Sequence, residues 1–150
     1  MQSYKVITGA LVLAAGLVGC GSSGGSGSGS KPNTSAWLGN WTEGGTQSVT
    51  CGAVMETTDL GGLVAINAGA KSGTIQTSWN GCLFTWDVSG DSATLQSGQS
   101  CAFSVFGTNA NVTWTAGSAT LSGNTITGTL DGTADNGCSS VEQTLTLMKV

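Results

Sequence analysis

The sequence contains no histidine and no arginine, and its single proline is Pro32. Without histidine the usual Ser-His-Asp triad is excluded, and a zinc site would lack its common nitrogen ligand. The positive charges are four lysines at positions 5, 31, 71 and 149. Because nucleic-acid binding needs clustered basic residues, we expect no nucleic-acid partner. Only 8% of residues are charged and the net charge is −4. We therefore expect the surface to consist mainly of threonine, serine, asparagine and glycine.

The N-terminus has the pattern of an export signal. Lys5 precedes an apolar run over residues 6–18, and small residues lead up to Cys20. The run is shorter than the roughly 18–20 residues that cross a bilayer as a helix. We therefore expect residues 1–19 to be a cleaved signal helix. The alternative is an ordinary secretory signal that a cysteine follows by chance.

Residues 17–20, Leu-Val-Gly-Cys, resemble the bacterial lipobox. The resemblance implies that Cys20 becomes the mature N-terminus, carries acyl chains such as palmitate, and makes the membrane a partner. Gly21 stands where an aspartate would retain a lipoprotein at the inner membrane, which implies the outer membrane, on its periplasmic face or at the cell surface. Residues 20–35 are then the lipidated cysteine and a flexible Gly/Ser linker. This arrangement is similar to that of small Thr/Gly-rich lipoproteins of myxobacteria-like genomes.

Four cysteines remain after Cys20, and an even number in an exported domain predicts two disulfides. Four cysteines allow three pairings, and the sequence alone does not select one. We favour Cys82–Cys101, because both residues follow inward-facing patterns and are close in the chain. That leaves Cys51–Cys138 to join an early strand to the last one. The weak point is that a tight meander places Cys82 and Cys101 two strands apart, so the turn near Gly98 must be wide.

Residues 36–150 show the period-two alternation of antiparallel strands with one buried face. Cys82, Phe84, Trp86 and Val88, for example, share one face of a strand. Glycine- and asparagine-containing turns separate such segments, among them Gly44-Gly45 and Asn80-Gly81. The predicted strands lie near 37–43, 47–54, 61–67, 73–79, 82–88, 92–96, 101–106, 110–116, 118–122, 124–131 and 139–148, and some of these could be one bent strand. No helix is predicted after residue 30. We expect an all-β domain, a small antiparallel meander barrel of about eight to ten strands, with a β-sandwich as the alternative.

Gly39-Asn40-Trp41 resembles the lipocalin Gly-x-Trp signature at the start of a first strand. The resemblance implies that Trp41 closes one end of an eight-stranded barrel that holds a small apolar ligand. Lipocalins also carry a later arginine that packs over this tryptophan, and this chain has none.

Five tryptophans are candidates for ligand contact or for the core. Trp86 and Trp114 follow the apolar phase of their strands, so we expect them in the core. Trp37 and Trp79 lie beside a terminus and a turn, and they are the better candidates for exposed rings that stack on a ligand.

Acidic residues give weaker signals. Asp87 is predicted to face outward and Asp91 to lie in a turn, and no carboxylate pair stands out for hydrolysis. Asp131 and Asp135 lie in a glycine-containing segment that could supply oxygen ligands to Ca²⁺. A polar hairpin loop is the favoured interpretation, so we predict no metal, no cofactor and no catalytic residue.

Three functions remain compatible with the sequence, all for a domain expected to be a monomer. The first is a lipid-anchored envelope module with a structural or binding role, in contact with an envelope component. The second is a lipocalin-like carrier of a small apolar ligand, and the third is a carboxylate-based hydrolase. A filled core with a Thr/Ser surface would favour the first, a large apolar cavity the second, and two carboxylates facing each other in a cleft the third.

Overall fold

The computed structural model of the protein describes residues 34–150. The predictions for the signal peptide, for Cys20 and for most of the linker lie outside these residues. One short helix and nine strands form the domain. They are α1 (Thr34–Trp37), β1 (Gly39–Cys51), β2 (Val54–Ala68), β3 (Thr74–Trp79), β4 (Cys82–Ser89), β5 (Ser92–Leu95), β6 (Gln99–Val105), β7 (Thr108–Ser122), β8 (Thr125–Ala134) and β9 (Ser140–Lys149).

The strands form one antiparallel sheet that closes into a barrel. Its order is β5-β4-β3-β2-β1-β9-β8-β7-β6, and β5 also pairs with β7. Strand β8 occupies one edge of β7, so β5 and β6 lie one after the other along the opposite edge. The ring therefore has eight strands, with β6 as an additional strand. This confirms the predicted meander barrel, including the pairing of the first strand with the last; the sandwich alternative is wrong, because there is one sheet.

Several strand boundaries differ from the sequence prediction. The strand predicted at 47–54 is wrong at its end, because residues 52–53 form the turn between β1 and β2, and β2 then begins at Val54 and not near residue 61. The turn predicted at Gly44-Gly45 is wrong, because β1 runs through both residues and pairs on both sides. Gly45 has a φ of 136°, and a Cβ atom there would collide with the Thr144 carbonyl oxygen, so this glycine bends the strand where a barrel wall must curve. Strand β7 likewise unites two predicted strands, with a bulge after Trp114. By contrast, Asn80 and Gly81 form the predicted tight turn, with φ values of 48° and 81°.

Large aromatic side chains fill the barrel. Trp41 and Trp114 are fully buried, and Trp86 is 5% exposed, which confirms the predicted core. Phe84 packs edge-on against Trp114 with ring centroids 6.4 Å apart, an arrangement that aromatic pairs prefer. The interior is therefore mostly occupied by side chains.

The helix α1, which the sequence did not predict, covers the end of the barrel where β1 begins. Trp37 is 1% exposed, and its carbonyl oxygen accepts a 3.0 Å hydrogen bond from the Trp41 indole N–H. The Lys149 ammonium group lies 5.2 Å from the centre of the Trp41 ring and donates to the Ala36 carbonyl oxygen at 3.3 Å. Lys149 thus places a cation over the Trp41 ring at the end of the barrel that α1 covers.

Both disulfides lie toward the opposite end of the barrel, and both favoured pairings are confirmed. Cys51, the last residue of β1, is bonded to Cys138, just before β9, with Cα atoms 4.0 Å apart. Cys82, the first residue of β4, is bonded to Cys101 in β6, with Cα atoms 6.0 Å apart. The pair can form because β5 ends at Leu95 and β6 then continues beside the first half of β4.

The break between β5 and β6 is bridged by a side chain. The Gln99 carboxamide accepts from the Thr85 N–H at 2.7 Å and donates to the Thr85 carbonyl oxygen at 2.9 Å. The same amide donates to the Gln96 carbonyl oxygen at 2.6 Å. Gln99 therefore pairs with the Thr85 N–H as a strand partner would, while at the Thr85 carbonyl oxygen it joins the Gln96 backbone N–H, which donates at 3.0 Å.

Candidate functional site

The two tryptophans proposed for ligand contact are not on the surface. Trp37 is 1% exposed and Trp79 is 8% exposed, so the expectation of exposed rings is wrong for both. Both rings instead line a cavity of about 50 Å³ inside the barrel, together with Phe84 and Trp86. The wall of this cavity is mainly apolar, with Glu43 and Gln143 among its polar residues.

These polar residues form a cluster in the barrel interior. Gln143 of β9 is 2% exposed and donates from Nε2 to Oε1 of Gln47 at 2.7 Å. Its own Oε1 is buried and has no hydrogen-bond partner within residues 34–150. The same holds for Oε2 of Glu43 and for the Trp79 indole N–H. We call Glu43, Trp79 and Gln143 the interior triad; it presents two open acceptors and one open donor.

The Glu43 carboxyl group is electrostatically unusual. Burial raises its pKa above the ordinary value, because the charged form loses solvation. The nearby Trp79 N–H lowers the pKa by a smaller amount. The N–H therefore lies near the carboxyl group, although the two groups do not meet hydrogen-bond geometry.

The outer wall of the barrel carries a regular array of hydroxyl groups. On β7, β8 and β9 the register aligns Ser118, Thr129 and Thr144 in one row. A second row aligns Thr120, Thr127 and Thr146. All six side chains are exposed, and we call them the hydroxyl face.

The hydroxyl face borders a shallow depression of about 350 Å³. Ala119 and Gly128 also line it. Gly128 has no room for a side chain, since a Cβ atom there would lie 2.6 Å from the Ser118 carbonyl oxygen. Neighbouring strands are about 4.8 Å apart and alternate residues about 6.8 Å apart along a strand. The hydroxyl groups therefore repeat at one nearly fixed distance across the strands and at another along them.

The acidic residues singled out from the sequence lie apart from the cavity. Asp131 and Glu142 are directly opposite each other on β8 and β9, but both are exposed on the outer wall. Asp135 accepts hydrogen bonds from the backbone N–H and the side-chain amide of Asn111 at 2.9 and 3.0 Å, and these bonds lower its pKa. No group of three or more metal-binding side chains occurs in the part of the chain that the structure describes.

Sequence reasoning missed both the interior triad and the hydroxyl face, although signals for each were present. Gln143 has the same parity as the inward-facing Val141, Leu145 and Leu147, and Glu43 follows Trp41 by two residues. When one polar residue interrupts the alternate positions of a strand that are otherwise apolar, its side chain is expected to point into the barrel. Such a residue is the signal of an interior polar site. Repeated Thr-x-Thr segments, such as the one beginning at Thr127, are the signal of the outer array.

No family model, curated protein or solved structure matches the chain. The lipocalin resemblance therefore stays a prediction, and what the structure shows is the closed eight-strand barrel with one additional strand. Within residues 34–150, no helix is long and apolar enough to cross a membrane.

Proposed function

We propose that this chain is a lipid-anchored cell-envelope protein, directed to the outer membrane, whose barrel has a structural or binding role and no enzymatic one. The lipobox-like residues 17–20 and the Gly/Ser tract support the anchor. Two disulfides are typical of an exported domain. The observation that carries the proposal is the hydroxyl face on a barrel whose interior is largely filled.

The chemistry of the hydroxyl face favours a neutral, hydroxyl-rich partner. Its six residues are uncharged and each hydroxyl can donate and accept a hydrogen bond. Regular spacing in two directions suits a polymer that repeats its own hydroxyl groups, such as an envelope polysaccharide. We therefore propose that this face contacts envelope glycans.

Co-sedimentation with insoluble neutral polysaccharides, such as cellulose and chitin, tests the binding role. The double substitution Thr127→Val and Thr144→Val removes two hydroxyls while keeping shape and strand propensity. We expect this variant to lose most of its bound fraction. The matched control, Thr58→Val with Thr133→Val, changes two exposed threonines outside the face and should bind like the wild type. Equal binding by both variants would argue against this surface.

A lipocalin-like carrier of a small apolar ligand is the second candidate. The helix α1 closes one end of the barrel, and four aromatic rings line the cavity. The cavity is about 50 Å³, whereas sites for drug-sized ligands hold roughly 300–1,000 Å³. Saturable quenching of tryptophan fluorescence by a medium-chain fatty acid would favour the carrier.

The hydrolase is the weakest candidate. Retaining and inverting glycosidases both need two carboxyl groups that flank one bond. Of the residues that line the cavity, Glu43 is the one with a carboxyl group. The facing pair Asp131 and Glu142 lies on an open wall and not in a cleft.

A further inference from the structure

The interior triad leaves hydrogen-bonding capacity unused in a nearly dry environment. Gln143 and Trp79 are both more than nine-tenths buried, each has a buried polar atom without a hydrogen-bond partner in residues 34–150, and both residues line the same cavity. A buried polar atom without a partner costs free energy, and native proteins rarely tolerate it without a water or a ligand. Three such atoms around one cavity indicate an occupant.

The open atoms define what the occupant must offer. Glu43 Oε2 and Gln143 Oε1 accept hydrogen bonds, and only the Trp79 indole N–H donates. The occupant must therefore be richer in donors than in acceptors. An ammonium group has three donors and no acceptor, and it would also neutralise the half-buried Glu43 carboxylate.

The charges of the described chain leave this carboxylate without an internal cation. The described lysines are Lys71 and Lys149. Lys71 is exposed in the connection between β2 and β3, and Lys149 is engaged at the closed end with Ala36 and the Trp41 ring. Neither is among the causes that shift the pKa of Glu43. A cationic ligand would supply the missing charge.

The remaining wall of the cavity suits a short organic cation. Trp37, Trp79, Trp86 and Phe84 line it, and aromatic faces attract ammonium groups. A water molecule takes up about 30 Å³ in the liquid, so a cavity of about 50 Å³ accepts only a molecule of a few heavy atoms. We propose that the barrel interior binds a small primary alkylammonium ion, with its charged head at Glu43 and Gln143 and its alkyl group against the aromatic rings.

The wall beside Glu43 carries little side-chain bulk. Glu43 is opposite Gly62 in the β1–β2 register, and the neighbouring pair is Gly44 and Gly61. A Cβ atom at Gly62 would meet nothing within 4 Å. Strand β2 pairs with β3 only from Ala65 onward, so its earlier residues have no partner strand on that side. This proposal concerns the interior and does not depend on the hydroxyl face or on the lipid anchor.

Titration of the purified full-length chain with ethylammonium chloride tests the proposal, with the indole N–H resonances followed by NMR. We expect a saturable shift of the Trp79 resonance, assigned with Trp79→Phe. Glu43→Gln keeps the shape but removes the charge and should weaken binding by about tenfold to a hundredfold, the range of one charge-assisted hydrogen bond. Glu142→Gln is the matched control on the outer wall and should leave the affinity unchanged. Ethanol, a neutral molecule of similar size, should bind at least about tenfold more weakly.

Three results would overturn the proposal. The first is the absence of a saturable shift in the wild type, which means that the cavity holds water only. The second is equal affinity for ethanol and ethylammonium, which means that charge is not recognised. The third is a folded Glu43→Gln variant, checked by its melting curve, that binds ethylammonium like the wild type.

Discussion

Among single residues, Trp41 holds the closed end of the barrel together. Its ring is fully buried, its indole N–H donates to the Trp37 carbonyl oxygen, and Lys149 lies over the ring. Truncating a buried aromatic side chain to alanine typically costs about 3–5 kcal/mol. We therefore expect Trp41→Ala to lower the melting temperature sharply, as measured by circular dichroism.

Alanine at an exposed acidic residue is the control for this experiment. Asp87 lies on the outer side of β4 and accepts one exposed hydrogen bond, at 3.0 Å, from Gln96. Asp87→Ala should barely change the melting temperature, since such surface bonds contribute little. A Trp41→Ala protein that melts like the wild type but loses a ligand would identify Trp41 as a binding residue.

Glu43 makes stability depend on pH in a defined direction. Because burial raises its pKa, the folded protein holds this proton to a higher pH than the unfolded chain does. Between the two pKa values the folded state binds more protons, so the free energy of unfolding falls as the pH rises through that window. Glu43→Gln removes this titration, and we expect its stability relative to the wild type to increase from about pH 4 to about pH 7.

Urea unfolding at both pH values measures this effect, with Glu142→Gln as the control. Glu142 is exposed on β9, so a pH-dependent stability difference that is larger for Glu43→Gln assigns the effect to the buried carboxyl group. A Glu43→Gln variant whose stability difference is also independent of pH would contradict the role assigned to burial.

At the level of residues, the sequence predicted which side chains point inward but not what they meet there. Alternation identifies the direction of Trp86 and Trp114, because a strand turns every second side chain to the same face. Glu43 and Gln143 are far apart in the chain, and they share a cavity only because β1 and β9 pair when the barrel closes. That pairing depends on the register of all the strands in the ring. The sequence close to Glu43 or Gln143 does not specify this register.

At the scale of elements, the same turn signal had two different outcomes. Asn80-Gly81 and Gly44-Gly45 both contain residues that tolerate positive φ, and only the first is a hairpin turn. Gly45 is held in a strand because β2 and β9 pair with β1 on both sides of it. A glycine can end a strand or bend it, and long-range pairing decides between the two. The short helix α1 was missed for a similar reason, since its Trp37 is fixed by packing onto the end of the barrel.

The junction between β4 and β6 contains the Gln99 side chain in addition to the Cys82–Cys101 disulfide, and Gln99 gives a prediction for this element. Gln99→Ala removes the amide that pairs with the N–H and the carbonyl of Thr85. The Thr85 N–H then loses its partner, whereas the Thr85 carbonyl oxygen keeps its bond from the Gln96 N–H. An unpaired buried backbone group costs about 1–3 kcal/mol, and Thr85 is partly buried, so we expect a loss of unfolding free energy at the lower end of this range. Amide hydrogen exchange at Thr85 should also accelerate.

Gln96→Ala is the matched control for the junction. The Gln96 side chain makes an exposed bond to Asp87, while its backbone N–H keeps its bond to the Thr85 carbonyl oxygen at 3.0 Å. We expect nearly wild-type stability and unchanged exchange at Thr85. If both variants behave alike, the Gln99 amide does not maintain the junction.

On the scale of the whole molecule, the two ends of the barrel are stabilised by different means. Packing of α1, Trp41 and Lys149 closes the first end, and the two disulfides tie the strands at the other. The Cys51–Cys138 bond spans 87 residues and the Cys82–Cys101 bond 19. In the chain-entropy model the longer loop contributes more, at roughly 4.6 against 3.2 kcal/mol. The bond that joins β1 to the start of β9 is therefore the stronger constraint on barrel closure.

The location of the whole molecule depends on Cys20, if the proposed anchor is correct. One acyl chain binds a membrane only reversibly and stable anchoring needs a second, so we expect the wild-type N-terminus to carry a diacylglyceryl group. Cys20→Ala should abolish the added mass and move the protein from the membrane fraction to the soluble fraction. Its barrel should melt like the wild type, because a Gly/Ser-rich tract over residues 21–30, typical of a flexible linker, separates Cys20 from the barrel in the sequence. A wild-type protein whose intact mass shows no added lipid would refute the anchor, while leaving the binding tests of the hydroxyl face and the interior triad unaffected.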